Sequence, residues 1–237
     1  MDFDYQLKEK NISIPIRQNS EKYNIESILT IPKDSKGLVI FAHGSGSGRH
    51  SQRNQYVSKV LNKDGVSTLL LDLLTEAEEK TDKLTREYRF NIELLADRLI
   101  SVTDWLIEQG NIRNMMLGYF GASTGAAAAL IAADKRPKNI SAIVSRGGRV
   151  DLSYRYASLQ NIFCPTLFIV GEKDIEIIEW NRQVLDNYLE KVAKKKMIII
   201  QGASHLFEES GKLEEVAKKA SGWFRCYFQI KEHDINK

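Results

Sequence analysis

From residue 37 onward, short apolar runs alternate with stretches of helical spacing, and few folds accept that pattern. The runs are Leu38–Ala42, Val66–Leu71, Met115–Phe120, Ile140–Ser145, Pro165–Val170 and Lys196–Ile200. They are too short for core helices and too continuous for strands with one wet face, so each reads as a strand covered on both sides. Between them, Ile92, Leu95, Leu99, Val102 and Leu106 recur at steps of 3, 4, 3 and 4, and Gly110 supplies a stop. Trp180, Val184 and Tyr188 mark another helical face. Leu213, Val216, Ala220, Trp223 and Tyr227 mark a last one. Alternating strands and helices imply a parallel sheet with helices on both faces.

The first 31 residues follow a different pattern. Ile12, Ile14 and Ile16 alternate around Pro15, which cannot donate to a ladder, so residues 12–16 are expected at a sheet edge. Residues 25–31 form a second apolar strand, joined to the first through the polar Gln18-Asn19-Ser20-Glu21 turn in an antiparallel opening. Two strands plus six give an α/β fold with a mostly parallel eight-stranded sheet. A chain of 237 residues suffices for one such domain spanning residues 1–237. The segments 73–89 and 147–163 are the only long irregular stretches expected, as rims or small caps. The latter is too short for a large lid.

Charge excludes some partners. The net charge of +3 is small, and no block of five or six like charges occurs, so there is no warrant for a nucleic-acid surface. Lys194-Lys195-Lys196 reads as a solvated helix end. Cys164 and Cys226 show no metal spacing and are expected as buried or half-buried thiols in a reducing cytoplasm. The acidic Met1-Asp2-Phe3-Asp4 start argues against a signal peptide, and the run Ala126–Ala133 is too short to span a bilayer.

Gly121-Ala122-Ser123-Thr124-Gly125 matches G-x-S-x-G, between the strand Met115–Phe120 and an Ala-rich helix. A sharp strand-to-helix turn forces such a serine into a strained conformation and exposes its oxygen at the carboxyl end of the sheet. The helix amino end behind it favours developing negative charge. Ser123 is therefore the candidate nucleophile, against the alternative of a tight glycine turn with an incidental serine.

A serine hydroxyl needs a base. His205, just beyond the last strand, falls at the same edge of the sheet. His43 and His50 precede the serine in a different loop, and His233 sits in a charged tail. The base needs an acid that fixes its tautomer. Asp174, leaving the strand Pro165–Val170, is the candidate, with Asp151 the runner-up and Glu172 placed too near the strand. The order Ser, Asp, His is that of α/β-hydrolases. An oxyanion hole would use the amide of Thr124 and a second amide from His43-Gly44-Ser45-Gly46-Ser47-Gly48, that of Ser45 with Gly44 as the alternative. The rival reading of this loop as a phosphate cradle lacks the G-x-x-x-x-G-K-[ST] lysine. No metal or organic cofactor is required.

At this point the chain resembles a known group. The segments His43–Asn54, Leu71–Thr75, the serine turn, Ser145–Arg149, Val170–Asp174 and Gly202–Glu209 are together similar to the dienelactone hydrolase-like branch of the α/β-hydrolases. They are most similar to a subgroup sometimes joined to a phosphoribosyltransferase-like domain. The resemblance covers roughly residues 25–225, outside which no phosphoribosyltransferase-like part is expected in these 237 residues. It implies that fold and an acyl-transfer activity. True dienelactone hydrolases use a cysteine nucleophile, whereas position 123 is serine, which favours a general carboxylic-ester hydrolase.

The substrate is expected to be a small ester, and an anionic one if the nearby arginines point inward. Arg146 and Arg149 follow a strand next to the serine strand, and Arg49 and Arg53 flank the glycine loop. Pointing inward, Arg146, Arg149 and Arg53 would hold an acidic group. The alternative is structural, with Arg146 or Arg149 paired to Asp72 or Asp151. A non-catalytic interaction module on the same scaffold, a thioesterase and a peptidase remain open, and so does the oligomeric state.

Overall fold

A computed structural model describes residues 8–18, 21–110 and 112–229. The Asn19-Ser20 connection, the acidic amino terminus and His233 lie outside the described residues. Eight strands form one sheet. In chain order they are β1 (Lys8–Gln18), β2 (Glu21–Ile31), β3 (Gly37–Ala42), β4 (Ser67–Leu71), β5 (Met116–Ala122), β6 (Ile140–Arg146), β7 (Thr166–Gly171) and β8 (Lys195–Ile200). The spatial order is β1-β2-β4-β3-β5-β6-β7-β8. β1 pairs antiparallel with β2, and β2 antiparallel with β4; all other pairings are parallel. The expected eight-stranded, mostly parallel sheet is thus present. β1 forms one edge, where Pro15 forfeits no interior ladder bond.

Among the described residues, six α-helices cover the sheet: α1 (Gln52–Lys63), α2 (Glu76–Thr85), α3 (Ile92–Glu108), α4 (Thr124–Lys135), α5 (Ile175–Asn187) and α6 (Lys212–Tyr227). Strand alternation divides the core in two. Leu38, Ile40, Leu69 and Tyr119 face α3 and α4, together with Val184 and Leu185 of α5. Val39, Phe41, Leu70 and Phe120 face the opposite way, toward Val57 and Leu61 of α1 and Val216, Ala220 and Phe224 of α6.

Several local expectations change. Residues 73–89 are not irregular, because α2 lies within them. Its start is a capping box in which Thr75 accepts from the Glu78 amide and Glu78 accepts from the Thr75 amide. The segment hid because it is strongly charged and buries little; its only buried residue is Asp82. Within 147–163, residues Val150–Arg155 form a short 3-10 helix. The buried face of α5 is Ile177, Asn181, Val184 and Leu185 rather than Trp180. Cys164 is buried, and burial pushes its thiol up to about 12. Cys226 is exposed, contrary to expectation, because it lies on the outer side of α6. Among the described residues, no helix is long and apolar enough to cross a membrane.

Candidate active site

The serine turn is built by backbone crowding. β5 runs directly into α4, and Ser123 between them takes φ 50° and ψ −120°. Positive φ is unfavourable for a side-chain-bearing residue and persists where the surroundings enforce it. Two glycines make the turn possible. A Cβ on Gly121 would lie 2.4 Å from the Ala126 Cα, and one on Gly125 would lie 2.1 Å from the Ala42 carbonyl oxygen. The first turn of α4 therefore presses against the end of β3 as closely as backbone allows. The Ser123 amide donates to the Arg146 carbonyl at the end of β6 (3.2 Å), and the Ser123 carbonyl accepts from Arg149 (3.0 Å).

The glycine loop after β3 reaches this turn. A Cβ on Gly44 would lie 3.1 Å from that of Ser123. The Ser45 hydroxyl lies 3.1 Å from the Thr124 hydroxyl, so both candidate donors belong to one cluster. The loop is anchored from behind by His43. This imidazole is buried, with Nδ1 2.9 Å from the Gly44 carbonyl and Nε2 accepting from the Leu73 amide at 2.9 Å. Burial lowers its pKa, so the ring stays neutral and keeps the tautomer those two bonds demand. Position in a different loop set His43 aside in the sequence; its place at the very end of β3, before a glycine loop, was the available signal.

Asp174 and His205 meet. The His205 Nδ1 lies 2.5 Å from Asp174 Oδ2. Their loops leave adjacent parallel strands, β7 and β8, and are stitched by backbone bonds. The Glu172 amide donates to Ile200 and the Lys173 amide to Ala203, each at 3.0 Å. Glu172 serves the seam, accepting from the Gly202 amide at 2.7 Å, and not the imidazole. Glu209, missed in the sequence, accepts the Ser204 amide at 3.0 and 3.1 Å and the Lys173 ammonium at 3.4 Å. The Ser204 amide, followed by its other donors, holds the Glu209 carboxyl down to about 2. The base loop thus turns back on itself around a carboxylate. The ring of His205 also lies close to the Arg146–Gly147 peptide that anchors Ser123: a Cβ on Gly147 would stand 3.4 Å from its Nδ1 and Cε1. Gly147 directly follows the residue that accepts the Ser123 amide.

The runner-up acid is engaged elsewhere. Asp151 accepts both Nε and Nη2 of Arg149 at 2.9 Å, and Arg149 also stacks on Trp180, 4.5 Å from the ring centre. The Arg149 guanidinium is thus held between the Asp151 carboxylate and the Trp180 ring, the structural pairing the sequence offered as its alternative. Asp72 pairs with Arg49, through both its guanidinium and its amide. Arg53, on the first turn of α1, donates to Glu208 at 3.0 Å. Arg146 pairs with neither Asp72 nor Asp151. Among the described residues, no group of three or more metal-ligating side chains gathers. Two concavities, of about 660 and 170 Å³, adjoin the glycine loop. Neither is lined by Ser123, Asp174 or His205, so hydrogen-bonded geometry rather than depth marks the site.

Comparison with known proteins agrees with this arrangement. A family model described as an alpha/beta hydrolase domain matches residues 35–222. A putative phosphoribosyl transferase of Mycobacterium tuberculosis (strain CDC 1551 / Oshkosh) is 50% identical over 196 residues, covering 83% of this chain and 42% of that protein. The chain thus spans about two fifths of the length of the curated relatives it matches. The crystal structure of a dienelactone hydrolase from Anabaena variabilis is 45% identical, with TM-score 0.83, covering 92% of this chain and 98% of that one. Est1E from Butyrivibrio proteoclasticus shares the fold at 14% identity, with TM-score 0.69 and coverage of 92% and 99%. From the strained serine turn to the paired loops at the sheet's carboxyl edge, this chain belongs to the alpha/beta hydrolase domain family.

Proposed function

We propose that the chain is a serine hydrolase of small carboxylic esters or related acyl compounds, with Ser123 as nucleophile, His205 as base and Asp174 as the residue that orients the base. The observation that carries this reading is the 2.5 Å contact between His205 Nδ1 and Asp174 Oδ2, on a ring packed against the peptide that anchors Ser123. With the Nδ1 proton held by the carboxylate, Nε2 is left basic.

His205 Nε2 takes the hydroxyl proton as Ser123 Oγ attacks the carbonyl carbon. The carbonyl electron pair moves onto oxygen, which accepts from the amides of Thr124 and Ser45, or of Gly44 in its place. Collapse breaks the bond to the leaving oxygen, which receives the proton from His205. Water then attacks the acyl-serine, giving one proton to His205, which returns it to Ser123. Every proton passes through His205, so the cycle closes without a metal or organic cofactor. The exposed side chains of Ile175 and Leu206, each next to a triad member in sequence, suit a small apolar substrate part. Two unpaired thiols, Cys164 and Cys226, favour a reducing cytoplasm as the place of action.

A fluorophosphonate probe tests the proposal. The wild-type chain should label, Ser123→Ala should not, and 4-nitrophenyl acetate should be turned over only by the former. A wild-type chain that neither labels nor turns over would favour a binding module on this scaffold. Matched oxygen esters, thioesters and anilides then rank esterase, thioesterase and peptidase activity.

A further inference from the structure

At the carboxyl end of β6 an arginine is buried without a counter-ion. The Arg146 residue is 8% exposed, and its Nε and Nη1 are buried with no hydrogen-bond partner. Elsewhere the fold neutralises such groups: Arg49, Arg89, Arg98, Arg136 and Arg149 each pair with a carboxylate. An uncompensated buried charge is strongly unfavourable, so one retained beside a candidate site calls for a missing partner.

Position tells what that partner is. The Arg146 carbonyl accepts the Ser123 amide, so the arginine stands beside the nucleophile. Ala142 and Val144, four and two residues earlier, face α1 and α6, and strand alternation sends Arg146 to that side. There the first turn of α1 carries Arg53, whose Nε is also buried and unpartnered. The largest influence on the Arg146 charge is burial, followed by repulsion from Arg53; together they lower its pKa to about 10, and it remains a cation at neutral pH. The amino end of α1 adds partial positive charge in the same place. The opposing group is Glu208, an exposed carboxylate that holds Arg53 Nη1 at 3.0 Å and would share that arginine with a ligand.

We infer that Arg146, supported by Arg53 and the amino end of α1, forms a subsite for a carboxylate or phosphate carried by the substrate of Ser123. The inference rests on the serine-hydrolase reading and gives it a substrate class: esters bearing a second, anionic group. A guanidinium is suited to either oxyanion, because its planar donors match both.

The test uses 4-nitrophenyl esters whose acyl chains end in a carboxylate, a phosphate or a neutral methyl ester. The wild-type chain should prefer a charged ester, and the carboxylate and phosphate arms show which oxyanion is taken. Arg146→Met should cut the charged-to-neutral ratio of kcat/KM by about tenfold or more, as expected for loss of a charged hydrogen bond. Arg53→Gln should cut it less, and carries the test if Arg146→Met does not fold. No preference in the wild type, or equal losses on charged and neutral esters, overturns the inference. Binding of the carboxylate-ended ester to Ser123→Ala, measured by calorimetry, separates the two readings. Turnover in the wild type with no Arg146-dependent binding sinks the subsite alone. Arg146-dependent binding with no turnover keeps the subsite and sinks the hydrolase.

Discussion

Replacing Gly125 by alanine tests how the serine turn and the glycine loop depend on each other. The added Cβ would stand 2.1 Å from the Ala42 carbonyl oxygen and 2.5 Å from that of His43. Both are backbone atoms, so no side chain can swing aside. Contacts to carbon are comfortable from ~3.5 Å, so the start of α4 and the end of β3 must part by ~1.4 Å. That movement separates Thr124 on one side from Gly44 and Ser45 on the other, the two walls proposed to hold the oxyanion. A misplacement of about 1 Å costs ~100-fold in rate, and loss of one oxyanion donor costs ~100- to 1,000-fold. Gly125→Ala should therefore lower kcat by about two to three orders of magnitude on 4-nitrophenyl acetate, with KM little changed. Overpacking should also lower stability by about 1–3 kcal/mol, read from urea unfolding. A folded variant with wild-type kcat would refute the coupling of these two segments.

Three further outcomes follow from the same geometry. Asp174→Asn should reduce kcat by about 10,000-fold, as loss of the tautomer-fixing carboxylate does in related triads; Asp151→Asn should instead reduce stability, since its partner is Arg149, and the reverse pattern would reassign the acid. Burial lowers the pKa of His43 from 6.5, so the unfolded chain binds that proton first; the stability it contributes is complete above pH 6.5 and is lost as pH falls through the lowered folded value. Urea midpoints should drop on acidification through this window, and drop less in His43→Gln; parallel curves for the two proteins would refute it. Glu78→Gln should cost about 3 kcal/mol, because it removes the carboxylate that meets the fully buried Arg98 at 2.6 and 2.9 Å; a loss below about 1 kcal/mol in urea unfolding would show that the remaining partners of Arg98, the Leu73 carbonyl among them, suffice.

The legible parts of this molecule were those written locally. Ser123 could be read because G-x-S-x-G sits between an apolar strand and an alanine helix, and the two glycines are where backbones touch. Asp174 and His205 could be read because each follows a strand by a fixed short step. The preference for Asp174 over Asp151 was open to sequence reasoning, but the engagement of Asp151 by Arg149 needed coordinates. The structural alternative suited Arg149 and failed for Arg146, although both follow the same strand. Arg146 ends β6, whereas Arg149 lies beyond it at the start of the 3-10 helix that also carries Asp151, its carboxylate partner. Helix α2 went unread because its charged sequence carries no apolar period, although Thr75 followed by Glu78 was a readable start signal. Glu209 went unread because a carboxylate that ties down its own loop looks, in sequence, like any solvated acid.

The far margin of the sheet has a consequence of its own. β8 is an outermost strand, with one fully covered residue, Ile200, and it is the strand from which the imidazole hangs. The serine, by contrast, issues from a strand walled in on both sides. Fraying is cheapest where cover is thinnest. If His205 is the proposed base, the bonds that tie its loop to β7 and to Glu209 hold the reaction together, and activity should fail at this border before the serine turn opens.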